Sequence, residues 1–187
     1  RPGTRPRRRI VTALTLAVLA VFLWQSAGMG CRWYISGRAP WTNAYESMVY
    51  VGWTTVLAGL LFARRSPLTL TLATLMGGVV LFVSNLNWLD PQITPLVPVL
   101  RSPWLMIHVS VITASYGFFG ICALCGLGIL VGLLTGRPNR ELRIVGEVSM
   151  IIGLVLLTAG IFFGAVWANE SWGRYWGWDP KETWAAA

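Results

Sequence analysis

Residues 144–184 read IVGEVSMIIGLVLLTAGIFFGAVWANESWGRYWGWDPKETW and join a predominantly apolar run to a stretch crowded with aromatic rings. The apolar part, 144–167, exceeds the roughly 20 helical residues that cross the hydrocarbon core of a bilayer. The part from Trp167 to Trp184 interleaves tryptophan and tyrosine with glycine, charged residues and an Asp-Pro turn signal. This sequence predicts a membrane helix that leads into an ordered aromatic surface.

The rest of the chain repeats the apolar pattern. Of its 187 residues, 55% are hydrophobic and only 12% are charged, whereas soluble domains have about 25% charged residues. This distribution predicts an all-α integral membrane protein, a single membrane domain with five transmembrane helices at about 10–29, 45–63, 68–84, 104–134 and 144–167. Residues 168–187 would form a segment at its surface. The basic start of the first run is also typical of a secretory signal peptide, with Ser26-Ala27-Gly28 near a cleavage site.

Arginines gather at the ends of the apolar runs, and their distribution predicts the orientation of the chain. With the N-terminus in the cytoplasm, the inner segments carry ten arginines and two glutamates, a net charge of +8, whereas the outer segments carry five basic and five acidic residues. The inner arginines are Arg1, Arg5, Arg7, Arg8, Arg9, Arg64, Arg65, Arg137, Arg140 and Arg143. The positive-inside rule therefore places the loops 30–42 and 85–103, and residues 168–187, on the external side. Basic residues at the ends of spans, rather than in one patch, argue against a nucleic-acid partner.

Small residues in the last two predicted spans indicate close helix packing. GxxxG pairs occur at 128–132 and 160–164, and a glycine stripe with a seven-residue repeat includes positions 146, 153 and 160. Cys122 and Cys125 form a C-x-x-C inside the fourth run, but Gly126 stands where a c-type haem attachment site needs histidine. We therefore predict that both cysteines are packing residues.

His108 is the single histidine of the chain and lies near the start of the fourth span. An imidazole there either hydrogen-bonds to backbone or headgroups, or it ligates a metal or haem iron. Trp172, Trp176 and Trp178 lie beyond the fifth apolar run, on the same predicted face. They form either an interfacial aromatic belt or a platform for a flat apolar ligand. One histidine beside such a platform would make half of a haem site.

Two short sequences have the pattern of helix starts. The sequence DPKE at 179–182 places aspartate at the N-cap, proline at the first helical position and glutamate at the third. Asn43 and Glu46 have the same capping spacing. Because the helix predicted at Pro180 is cut off within two turns, we expect the natural chain to continue. The external cations available to an anionic ligand edge are Arg32, Arg38, Arg101, Arg174 and Lys181.

The tryptophan-rich stretch resembles a known signature. The sequence WGRYWGWDPKETW at 172–184 is similar to the WWD motif of the haem-handling proteins of cytochrome c biogenesis. The sequence PWTNAYES at 40–47 and His108-Val109 resemble the CcsA/ResC branch, the membrane half of the system II haem lyase. The resemblance extends from about Gly37 to the end of the chain.

This resemblance implies that the protein binds haem b and presents it at the external, periplasmic face of the bacterial inner membrane for attachment to apocytochrome c. His108 would be one axial ligand of the haem iron, and the family's second axial histidine follows the WWD segment, beyond this chain. The implied haem-binding residues are His108, Trp172, Gly173, Arg174, Tyr175, Trp176, Trp178 and Asp179.

The resemblance also implies partners. They are apocytochrome c, membrane lipid and a CcsB/ResB-type subunit or fused half, so the chain would be part of a holocytochrome c synthase rather than a self-contained enzyme. Three alternatives remain open: a transporter with an aromatic external loop, a structural subunit with an interfacial belt, and another WWD branch, either the haem exporter or the system I lyase. A transporter predicts charged or broken helices at the membrane midplane, whereas these spans are nearly uncharged.

Overall fold

The computed structural model describes residues 4–95, 101–137 and 139–186, with side chains from Arg8 onward. Arg1, the side chains of Arg5 and Arg7, and part of the predicted loop 85–103 lie outside the described residues. All regular structure in the described part is α-helical, which confirms the predicted fold class. The helices are α1 (Thr4–Ser36), α2 (Ala44–Phe62), α3 (Pro67–Ser84), α4 (Pro103–Leu134), α5 (Arg140–Trp172) and α6 (Pro180–Ala186).

Four of the five predicted spans are long and apolar enough to cross a membrane, and the chain is a multi-pass membrane protein. They are Arg8–Ser36, Pro67–Ser84, Pro103–Leu134 and Arg140–Trp172. The remaining predicted span, the second along the chain, is α2. It has 19 residues but is less apolar than these four helices, because it contains Glu46, Thr54 and Thr55. These three side chains are buried, since α2 packs against α1, α3 and α4. A helix enclosed by other helices can carry polar groups that a lipid-facing helix cannot.

Two helix boundaries differ from the prediction. The first helix continues through the predicted loop 30–42 as far as Ser36, and Gly37 follows it with a left-handed backbone, φ 63°. The last long helix continues five residues past Trp167 and ends at Trp172, where left-handed Gly173 donates its N–H to the Asn169 carbonyl. Polar residues alone do not end a helix. A left-handed glycine does, because it turns the chain and its N–H bonds a carbonyl of the last turn. At roughly 1.5 Å per residue, α5 is about 50 Å long and extends beyond a hydrocarbon core of about 30 Å.

Helices α4 and α5 pack antiparallel, with glycines of α5 against larger side chains of α4. The pairs are Gly146 on Cys125, Gly153 on Phe119, Gly160 on Ile112 and Gly164 on His108. A Cβ added at any of these glycines would come within 3.2 Å of its partner. The predicted close packing of the last two spans is therefore confirmed, and buried Cys125 is a free thiol within it.

Contacts among the other helices show that successive helices run in opposite directions. Gly59, late in α2, packs on Ala73, early in α3, so these two helices are antiparallel. The end of α1 meets the chain after α3, where the Arg32 guanidinium donates to the Pro91 carbonyl over 2.6 Å. The start of α4, with His108, lies at this same end of the bundle, since Trp41 donates its indole N–H to the Met106 carbonyl over 3.0 Å. The opposite end carries Arg8, Arg9, Arg64, Arg65, Arg137, Arg140 and Arg143.

A buried ionic cluster closes the His108 end of α2. The predicted capping box is confirmed: Glu46 N–H donates to Asn43 Oδ1 over 2.7 Å, and the Glu46 carboxylate accepts from the Asn43 N–H. The same carboxylate, 1% exposed, accepts from Arg32 Nε at 2.8 Å and Arg38 Nη1 at 3.1 Å. Both arginines were candidates for an anionic ligand edge. Glu46 neutralises one of the two charges and orients both groups, and Arg38 Nη2 is buried without a partner among the described residues.

Replacing Glu46 by glutamine is expected to lower the free energy of unfolding by about 2 kcal/mol, because it leaves the buried Arg38 guanidinium without a counter-charge. Unfolding of the full-length protein in detergent micelles measures this. The control is Glu147→Gln, which breaks the exposed Arg143–Glu147 pair and should change stability by less than about 0.5 kcal/mol. Equal effects of the two substitutions would contradict a structural role for the cluster.

Candidate functional site

A cleft of about 370 Å³ lies between the start of α4, the end of α5 and the chain that leads into α6. It brings together His108 and the tryptophan-rich stretch, which are more than 60 residues apart in the sequence. Its lining residues are His108, Ile112, Tyr116, Ile161, Gly164, Ala165, Trp167, Ala168, Trp172, Tyr175, Trp176, Asp179, Lys181, Glu182 and Ala185. Five of the eight predicted site residues therefore line one cavity: His108, Trp172, Tyr175, Trp176 and Asp179.

His108 is held by the neighbouring helix. Its Nδ1 lies 2.7 Å from the carbonyl oxygen of Gly160 in α5. A carbonyl can only accept, so Nδ1 carries the proton, and in the neutral ring Nε2 keeps a free lone pair. Gly164, one turn further on, makes room for the ring: a Cβ there would lie 2.5 Å from His108 Cε1 and 2.6 Å from Nδ1. This arrangement leaves Nε2 as the nitrogen with a free lone pair, and metal-bound histidines often have the same contact of the other nitrogen with a carbonyl.

Aromatic rings form one wall of the cleft. Trp172, the last residue of α5, packs edge-on against Trp167, and the two ring centroids are 4.7 Å apart. The C-terminal end of α5 therefore presents two crossed rings. Trp176 is partly buried, and its indole nitrogen is buried with no hydrogen-bond partner among the described residues. Such a donor normally finds an acceptor. The aromatic side chains therefore give this wall an apolar surface.

Three predicted site residues are not among the cleft lining. Gly173 acts through its left-handed backbone, φ 70°, which ends α5 and turns the chain. The guanidinium of Arg174 packs over Gly177, where an added Cβ would lie 2.9 Å from its Cζ. Trp178 is 76% exposed, packs edge-on against Trp176 and has φ 57°, a conformation that a bulky residue rarely adopts. All three shape the segment that carries the lining residues.

The start of α6 confirms the predicted helix cap. Glu182 N–H donates to Asp179 Oδ1 over 2.9 Å, and the Glu182 carboxylate accepts from the N–H groups of Gly177 and Asp179, at 2.6 Å and 3.4 Å. The cap also sets the side chains of Asp179, Lys181 and Glu182 at the cleft. Lys181 is the one predicted external cation that lines it.

Several lining residues were missed by the sequence analysis. Ile112 and Tyr116 follow His108 at intervals of four, so helical periodicity places all three on one face of α4, and this signal was available. Gly164 was noted only as part of a GxxxG pair. Trp167, at the start of the aromatic part of the sequence, was not singled out as a site residue. Ser102 Oγ, just before α4, donates to the Glu170 carboxylate near the end of α5 over 3.1 Å. No local sequence pattern predicts this contact.

The cleft does not resemble a metal site built from protein groups alone. Among the described residues, no group of three or more His, Cys, Asp or Glu side chains could hold a metal ion. A single imidazole can still ligate a metal that brings its other ligands with it, as the iron of a macrocycle does. A flat macrocycle also suits aromatic walls.

Known proteins align with most of the sequence of this chain. A family model described as cytochrome C assembly protein matches residues 41–186, which include α2–α6 and the whole cleft. The chain belongs to the cytochrome c assembly protein family. It is 49% identical over 185 residues to Protein NrfI of Wolinella succinogenes, covering 95% of this chain and 20% of that protein. It is 37% identical over 214 residues to the cytochrome c biogenesis protein CcsA of Synechococcus sp. strain CC9902, covering 94% of this chain and 69% of that protein.

A second CcsA, from Synechococcus sp. strain WH7803, is 36% identical over 206 residues, covering 86% of this chain and 64% of that protein. The chain thus spans a fifth of the length of NrfI and about two thirds of the length of these CcsA proteins.

Proposed function

We propose that this chain holds haem in the cleft, with His108 Nε2 as an axial ligand of the iron, and presents it for covalent attachment to apocytochrome c. The observation that carries the proposal is the 2.7 Å contact between His108 Nδ1 and the Gly160 carbonyl, which leaves Nε2 of this cleft-lining imidazole with a free lone pair. Membership of the cytochrome c assembly family supports it. Relatives named CcsA support a role in cytochrome c biogenesis.

The residues present fit a haem group. Trp172, Tyr175 and Trp176 offer ring faces to a porphyrin, and Gly164 leaves space that a side chain would fill. The cleft lies within the range of about 300–1,000 Å³ for small-molecule sites. Lys181, which lines the cleft, is a donor for a carboxylate edge. Bound haem supplies the vinyl groups to which the cysteines of apocytochrome c add, while these residues orient it and cover its faces.

The orientation and partners are part of this proposal. Arginines occupy the end of the bundle opposite the cleft, and by the positive-inside rule that end is cytoplasmic. The cleft then opens on the periplasmic side of the bacterial inner membrane, where apocytochrome c is matured. A CcsB/ResB-type subunit or fused half would complete the synthase, in which this chain is the haem-holding part.

Trp176→Ala is expected to weaken haem binding by roughly tenfold, because it removes a ring that covers the haem. The measurement is a haem titration of the full-length, detergent-purified protein, followed by Soret absorbance. The matched control is Trp24→Ala on α1, a tryptophan that is 83% exposed and distant from the cleft. Equal binding by both variants and the natural protein would favour an interfacial aromatic belt and reject the platform.

A further inference from the structure

A second cavity lies on the membrane-facing side of the bundle, between α1 and α3, and takes no part in the proposed haem site. It is an open groove of about 580 Å³. Its lining residues are Leu14, Val18, Leu70, Thr71, Thr74, Leu75, Gly78, Val79 and Phe82. The two threonine hydroxyls donate to the carbonyls of Pro67 and Leu70 in their own helix, so the groove presents a surface of hydrocarbon.

The dimensions of the groove match one leaflet of a bilayer. It follows α3 from Leu70 to Phe82, and the twelve helical steps between these residues span about 18 Å. Half of the roughly 30 Å hydrocarbon core is about 15 Å. A groove of this length accommodates an extended acyl chain along its axis.

Four arginines lie at one end of the groove. Arg8 and Arg9 precede the lining residues of α1 by about one turn or more, and Arg64 and Arg65 precede those of α3 in the same way. All four are exposed, and none forms an ion pair with another described residue. Guanidinium groups bind phosphate well, and basic clusters at the ends of membrane helices favour anionic lipid headgroups.

We propose that this groove binds an anionic diacyl phospholipid, with an acyl chain along α3 and the headgroup phosphate on Arg64 and Arg65, supported by Arg8 and Arg9. Charge complementarity distinguishes this occupant from a further apolar helix. An apolar helix in the groove would supply no anion to the four unpaired guanidinium groups at its end, whereas a phospholipid headgroup supplies one. The proposal depends only on the chain being in a membrane, not on haem binding.

Native mass spectrometry of the full-length protein in detergent tests this, with phosphatidylglycerol and phosphatidylcholine of identical acyl chains as probes. Wild type is expected to bind phosphatidylglycerol at least tenfold more tightly. The double variant Arg64→Ala, Arg65→Ala should reduce that preference roughly tenfold. Gly78→Phe should prevent binding of either lipid: an added Cβ there meets no atom within 4 Å, so the phenyl ring enters the groove without disturbing the fold.

Two matched controls keep the test specific. Arg137→Ala with Arg140→Ala removes two exposed arginines at the same end of the bundle but away from the groove, and Gly120→Phe adds a ring at an open site on α4. Both should keep the wild-type preference. If the Arg64, Arg65 variant keeps the full preference, or Gly78→Phe retains the lipid, the proposal fails. A photo-crosslinker at Leu75 that captures protein with no lipid bound would show a helix in the groove and would also overturn it.

Discussion

Replacement of His108 by alanine is expected to reduce haem binding and cytochrome c maturation by at least about 100-fold. Loss of a residue that only orients a metal ligand costs about 10–100-fold, and the ligand itself should cost at least the upper end of that range. His108 is the single histidine among residues 1–187, so no other imidazole in this part of the protein can replace it. The measurements are the Soret spectrum of the full-length, detergent-purified protein and the yield of holocytochrome c in cells that carry the variant.

Free imidazole provides the control for this substitution. His108→Ala leaves a space in the cleft beside Gly164 in which imidazole can bind. Millimolar imidazole should therefore restore the Soret band of the variant while leaving the thermal stability unchanged. A variant that retains the wild-type spectrum without imidazole would show that His108 is not a ligand, and its hydrogen bond to Gly160 would then be structural.

Replacing Gly164 by alanine is expected to lower haem binding by about 10–100-fold although the residue contributes no side chain. The new Cβ would lie 2.5 Å from His108 Cε1, well inside ordinary van der Waals contact, so the imidazole must move by about 1 Å. Movement of the ring weakens the hydrogen bond to Gly160 and turns Nε2 away from its position in the cleft. The expected result is a shifted Soret maximum with reduced occupancy, and imidazole should not restore it, because the displaced ring still fills the space.

Gly120→Ala is the matched control in the same helix pair. An added Cβ at Gly120 meets no atom within 4 Å, and alanine favours helix over glycine by up to about 1 kcal/mol. This variant should bind haem as wild type does. If Gly164→Ala and Gly120→Ala give the same spectrum and affinity, the position of the His108 ring is not critical.

The C-terminal end of α5 shows one limit of sequence reasoning. Asn169 and Glu170 were interpreted as the start of an external segment, but α5 continues through them to Trp172. Polarity predicts where a chain leaves the lipid, and it does not predict where a helix ends. The stop signal is Gly173, whose left-handed backbone turns the chain back toward α4.

The assignment of the external cations shows a second limit. Arg32 and Arg38 looked available from the sequence, yet both bind Glu46, a residue that was predicted only as a helix cap. The separations are 14 and 8 residues, beyond the reach of local patterns. Conversely, the Asn43 and Asp179 caps were predicted correctly because capping is a contact between residues three positions apart.

The sequence by itself determined the helical membrane fold, the caps, the glycine packing stripe and the candidate status of His108 and the tryptophans. Each of these depends on composition, periodicity or neighbours along the chain. Only the tertiary structure decided that His108 donates to Gly160, 52 residues away, and that Gly164 makes room for the ring. It also separated Trp172 and Trp176, which line the cleft, from Trp178, which does not. The reason is physical: the antiparallel packing of α4 on α5 sets these distances, and that register depends on many side chains at once.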